Sequence, residues 1–141
     1  MKNTSWPFAK LNCLIFAVFL FFNISCISQS QFKLNRAAKI EYMKVDSELN
    51  DLYKKIYSEY ESDTTFIKKL KKSQKIWISF RDAELDMKFP KKDKPVEYGS
   101  VYPMCESLFL KKMTNERIEK LKVWIDGIAE GEVCLGSAKM K

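Results

Sequence analysis

The chain has 141 residues, a formal net charge of +7 and no histidine, which removes Ser-His-Asp and Cys-His catalysis and most zinc sites. Only four glycines and four prolines occur, too few for the many turns of a β-sandwich, and neither a Gly-rich phosphate loop nor a dinucleotide fingerprint is present. One domain with a modest core and no repeats is expected.

The first 30 residues read as a signal peptide with a short polar leader. Lys2 and Lys10 form a basic start, and Cys13 to Phe22 is an unbroken apolar run. That run is far short of the ~20 residues that span a bilayer. Asn23, Ser25, Ser28 and Ser30 supply the small and polar residues of a cleavage region. Ser25 before Cys26 also fits a lipoprotein signal, although Asn23 stands where an aliphatic residue is usual. Ordinary cleavage after Ser28 or Ser30 is the preferred reading. Lipidation at Cys26 is the alternative, and it alone would place the protein on a membrane. Without residues 1–25 the chain keeps 23 basic and 18 acidic side chains, or +5. Inside a cell such a surplus would suggest nucleic acid. In an exported protein with scattered lysines it does not, and no nucleic-acid partner is expected.

Residues 31–141 read as a single all-α domain, an antiparallel bundle of three or four helices. Leu34 to Tyr60 forms the first, with Tyr42, Val45, Leu49, Leu52, Tyr53, Ile56 and Tyr60 on one face and Asp46 and Asn50 at its edge. Asp63 is placed to cap the second, Thr64 to Lys88. There, at about 100° per residue, Leu70, Gln74, Trp77, Arg81 and Leu85 share one stripe, with Phe66, Ile67 and Ile78 beside it. Lys68, Lys71, Lys72, Lys75, Asp82 and Asp86 fall on the solvated side. Pro90 to Pro95 makes a charged loop, and Gly99 and Ser100 close it. Ser100 is placed to cap a third helix with Pro103 in its tolerated first turn. That region reaches Ile128, with Leu110, Met113, Thr114, Arg117, Ile118, Leu121, Trp124 and Ile125 on one face. It is either one helix or two, since Thr114 also suits an N-cap. The tail from Gly131 is expected to pack loosely.

Each inward face thus carries polar residues: Asp46 and Asn50, Gln74 and Arg81, Thr114 and Arg117. A shared internal hydrogen-bonded network explains them jointly, with Asp46 and Glu84 as the carboxylates. Removing Arg81 from such a network would cost about 3–5 kcal/mol.

The run Leu70-x-x-x-Gln74-x-x-Trp77-x-x-Phe80-Arg81-Asp82 resembles the secreted LprI-type lysozyme-inhibitor family of small α-helical bacterial proteins. Leu49-Asn50-Asp51-Leu52-Tyr53 is similar to its L-N-x-x-Y helix, Gly99-Ser100-Val101-Tyr102-Pro103 to its G-S-x-x-P turn, and Met113-Thr114-Asn115-Glu116-Arg117 with Leu121 to its L-T-x-x-R-x-x-x-L segment. These blocks cover residues 40–125 in order. Leu85 and Phe109 stand where the family often has cysteines, so its usual disulfide is absent and an apolar contact is expected there.

The resemblance implies an exported, non-catalytic protein without cofactor or metal that binds a protein partner, a lysozyme. The competing reading is an interaction protein of the bacterial cell envelope with no inhibitory activity. A basic lysozyme would be repelled by a +5 protein at long range, although Glu59, Glu61 and Asp63 form a small acidic face. Tyr98, Gly99, Ser100, Tyr102 and Pro103, with the neighbouring lysines, are the expected contact site, because loops carry binding more often than core faces do. Cys105 and Cys134 form an even pair in an oxidising compartment and are expected to join. A straight helix beyond Cys105 would keep them apart, so the bridge requires a break near Thr114.

Overall fold

The computed structural model describes residues 7–131, 134 and 136–140, and for residues 7–28 the backbone alone. The side chains of the expected export signal, Cys26 included, lie outside the described residues. Among the described residues four helices follow one another: α1 (Pro7–Glu59), α2 (Thr64–Lys88), α3 (Lys94–Tyr98) and α4 (Tyr102–Asp126). Among the described residues no helix is long and apolar enough to cross a membrane.

No glycine or proline falls between Pro7 and Pro90, so nothing in the backbone chemistry interrupts α1 or α2. The corner between them is made by a cap. The Asp63 carboxylate accepts from the Phe66 amide at 2.8 Å, as its position implies. At the far end of α2, Pro90 forces the preceding Phe89 out of the helical region, and its φ of −128° and ψ of 69° end the helix. The charged loop contains the short α3, capped by Asp93, which accepts from the Val96 amide at 3.4 Å.

The long helices run up, down and up. Asn35 on α1 donates through Nδ2 to the Ser100 carbonyl at 2.8 Å, and Lys111 on α4 reaches Glu41 at 3.5 Å. The two pairs are separated by 65 and 70 residues and advance together along both helices, so α1 and α4 are parallel; Phe66 meets Trp124 and Gln74 meets Arg117, so α2 is antiparallel to both. The core is shared by all three: Leu49 and Ile56 from α1 with Tyr60 just beyond its end, Ile67 and Leu70 from α2, Ile118 and Leu121 from α4. Small buried side chains, Ala38 on α1 with Ser107 and Thr114 on α4, let α1 and α4 approach closely. Bulky ones, Phe66, Trp77 and Trp124, fill the wider gap to α2. Aromatic clusters fasten both ends. Tyr60, Phe66 and Trp124 meet at centroid distances of 4.4, 4.9 and 6.1 Å, and Phe89, Tyr98 and Tyr102 meet at 5.2, 5.2 and 6.0 Å.

The cap, the course of α4, the cysteines and the tail each bear on an expectation from the sequence. Ser100 does not cap α4; Val101 occupies that position without a side-chain hydrogen bond, and the Ser100 carbonyl is spent on Asn35. Helix α4 runs unbroken through Thr114, whose side chain is fully buried in the helix interface instead of capping a new start. The bend that a Cys105–Cys134 bridge needs is therefore missing, and both cysteines are free thiols, Cys105 half-buried and Cys134 exposed. Of the tail, the stretch from Ala138 to Met140 is anchored and does not pack loosely. Gly127, at φ 73°, ends α4 and turns the chain back, so that the Ile128 amide donates to the Lys139 carbonyl at 2.9 Å. The Lys139 amide in turn donates to the Tyr60 hydroxyl at 3.1 Å, and its ammonium meets Glu59 at 3.3 Å. Ala138 is buried beneath. This ion pair also occupies part of the acidic face formed with Glu61 and Asp63.

Candidate functional site

Trp77 is the centre of the polar stripe between α2 and α4. The Arg117 guanidinium comes across from α4, donating from Nε to Gln74 Oε1 at 3.1 Å and from Nη2 to Ser73 Oγ at 3.0 Å. Its carbon lies 5.8 Å from the Trp77 ring centroid, while Arg81, from Trp77's own helix, lies 5.3 Å away. One indole thus meets two guanidinium groups within cation–π range. Among the described residues Arg117 has no carboxylate partner, and burial lowers its pKa below the ordinary arginine value. It stays cationic, held by two neutral side chains that orient it without cancelling its charge.

The network does not take the expected form. Arg81 donates twice to Asp82, its own neighbour, at 2.9 and 2.8 Å, and Asp82 is well exposed. Asp46 instead serves α1 alone, accepting from Tyr42 at 3.4 Å and from Asn50 at 3.3 Å. Glu84 is only half-buried and joins neither arginine. The Thr114 hydroxyl has no hydrogen-bond partner, so this residue is in the interface for its size. Tyr53 is half-buried against the core, and Leu85 and Phe109 are both half-buried, with the Lys88 ammonium 5.1 Å from the Phe109 ring.

The Tyr98–Pro103 turn sits at the end of the bundle where α2 finishes and α4 begins. The Tyr98 and Tyr102 rings pack on Phe89 and on each other, and the Tyr98 hydroxyl accepts from the Lys91 amide at 3.1 Å. Both are half-buried, so they are not the freest aromatics of the surface. Gly99, Ser100 and Pro103 are exposed.

Freer apolar surface lies on α2. Ile76 is 57% exposed and Phe80 52%, beside Trp77. They border a shallow groove that continues between α2 and α4 over Phe66, Leu70, Leu121 and Trp124. Its cationic rim consists of Lys69, Lys72, Arg117 and Lys120. Sequence reasoning passed over this surface, yet the signal was there: Ile76, Phe80 and Met87 make a second apolar stripe on α2, at spacings of four and seven. Among the described residues no group of three or more acidic, cysteine or histidine side chains could hold a metal ion.

Two tyrosines give the fold an alkaline limit. Burial, then the Asp46 carboxylate, raises the Tyr42 pKa against the opposing charge of Arg81; burial and then Glu106 raise that of Tyr102. Folded values above the ordinary value near 10 mean that the unfolded chain loses these protons first. The contribution is therefore complete below about pH 10 and is lost as pH rises through the folded values. Tyr42→Phe and Tyr102→Phe should each flatten the fall of the unfolding midpoint above about pH 10 relative to the parent. Parallel curves would contradict this.

The site's residues come from the stretch that a family profile also selects. The profile of Lysozyme inhibitor LprI matches residues 26–121. The chain belongs to the LprI lysozyme-inhibitor family. The LprI match takes in α2, the turn after α3 and α4 as far as Leu121, and so contains Gln74, Trp77, Arg81, Thr114 and Arg117. A protein of Rhizobium meliloti (strain 1021), described as uncharacterized, is 30% identical over 104 residues, covering 66% of this chain and 72% of its own length. No solved structure matches.

Proposed function

We propose that this LprI-family protein is an exported, non-catalytic binding protein that blocks a lysozyme-like muramidase by occupying it. The family membership carries the reading. Two further observations support it. The motif residues do not gather acids and bases around a reactive centre; they brace two helices around Trp77. The surface beside them combines open apolar side chains with unneutralised cations, which suits a macromolecular contact more than a small enclosed ligand. The basic run at Lys2 and Lys10 and the apolar stretch that follows support export, with Cys26 as the attachment point should the lipoprotein route apply.

Purified protein added to muramidases of animal, invertebrate and phage type should slow the clearing of a peptidoglycan suspension by at least one of them. The net charge favours a less basic enzyme over a strongly basic one, and added salt should weaken inhibition where charges contribute to contact. Undiminished clearing with every enzyme at micromolar excess would favour an envelope protein that shares the fold without inhibiting anything.

A further inference from the structure

Many cations of this bundle have no carboxylate within 4.0 Å among the described residues, Lys68, Lys71, Lys75, Lys91 and Lys92 included; the α2/α4 groove differs in that no acid lines it at all. Lys44, Lys54, Lys94, Lys111, Lys112, Lys122 and Lys139 each have a carboxylate within 4.0 Å. None of these lines the α2/α4 groove. The four cations that do, Lys69, Lys72, Arg117 and Lys120, have no acidic partner among the described residues, and no Asp or Glu lines the groove with them. Arg117 is the fixed point of the set. Two of its five N–H donors hold Gln74 and Ser73, leaving the others and the full charge for an incoming acceptor. Phe80 and Ile76 open beside it to the solvent. A surface of one sign over an apolar floor concentrates potential and selects the opposite sign.

We propose that this groove is where the partner docks, and that it takes an acidic, amphipathic protein surface, with carboxylates on Arg117 and the rim lysines and an apolar side chain over Ile76 and Phe80. This rests on the reading of the chain as a protein that binds a muramidase, and adds to it the place and the chemistry of the contact. An acidic patch on the enzyme also removes the difficulty that a basic inhibitor poses for a basic target: attraction at the groove replaces repulsion between the whole molecules.

The test compares the parent protein with Lys69→Glu/Lys72→Glu and with Arg117→Gln. The charge-matched control is Lys54→Glu/Lys112→Glu, on surfaces away from the groove, and circular dichroism melts establish that every variant is folded. Against a muramidase that the parent inhibits, the groove variants should weaken inhibition by about tenfold or more and the control by less than about threefold. Groove variants that inhibit like the parent would overturn the proposal while leaving the inhibitor reading intact, and would move the contact to the Tyr98–Pro103 turn. If the parent inhibits no muramidase, the inhibitor reading fails and the groove is tested alone by calorimetry with an amphipathic helical peptide of one glutamate and one leucine face. Binding that disappears in Lys69→Glu/Lys72→Glu supports the groove; no binding overturns it. Soluble muropeptides that bind there while the acidic peptide does not would also overturn it, in favour of an anionic polysaccharide.

Discussion

Ile118→Ala and Ile56→Ala should each lower the free energy of unfolding by about 3 kcal/mol, with urea slopes unchanged. Ile56 is fully buried and Ile118 is 2% exposed, on the two helices that approach most closely. Truncation there removes about three methylene equivalents and leaves a cavity that two tightly seated helices cannot close. Domains of this size are stable by about 5–15 kcal/mol, so either change alone takes a large share. Ile118→Val should cost only about 1 kcal/mol. A shift below about 1 kcal/mol for both alanine variants would mean that the core is not centred on the α1–α4 contact.

The second large effect belongs to Trp77. Trp77→Ala takes away packing against the core and the ring that two guanidinium groups share, and should cost about 3 kcal/mol; Trp77→Phe should restore most of it. The arginines themselves should matter less to stability. Arg81 pairs with an exposed neighbour, so Arg81→Ala should cost about 1 kcal/mol and not the 3–5 kcal/mol of a severed buried pair. Arg117→Met keeps the stem, removes a charge that burial penalises, and should leave the unfolding midpoint near the parent value. That variant separates the two roles of the stripe: a protein as stable as the parent but deficient in binding marks Arg117 as a residue kept for contact at no gain to the fold.

The long helices were legible because their apolar residues recur with helical period over many turns. Asp63 and the Pro90 loop gave the limits of α2, Thr64 and Lys88, without error. The features that escaped depend on which faces finally meet. Asp82 reads as a solvent residue, and only the backbone geometry of α2 brings it back onto Arg81. Ser100 has the chemistry of a cap, but Asn35, 65 residues earlier, fixes the turn through its carbonyl. Tyr98 and Tyr102 look like loop aromatics until Phe89 supplies a third ring to pack them. The tail's anchorage on Tyr60 leaves no periodic trace at all, since it rests on backbone groups of a few residues. The groove on α2 was visible as a second apolar stripe but had no claim to attention until α4 was seen to leave it uncovered.

Under the proposed function the protein stops a muramidase by binding the enzyme and not by shielding its polymer. Turbidity of peptidoglycan does not separate these, but a small soluble oligosaccharide substrate does, because no surface remains to be covered. Titrated against a fixed concentration of a susceptible muramidase at low salt, the protein should abolish cleavage of that substrate with an end point near one molecule per enzyme. Full activity on the soluble substrate at a tenfold excess, with clearing of the suspension still slowed, would contradict the claim and make the protein a binder of the envelope polymer.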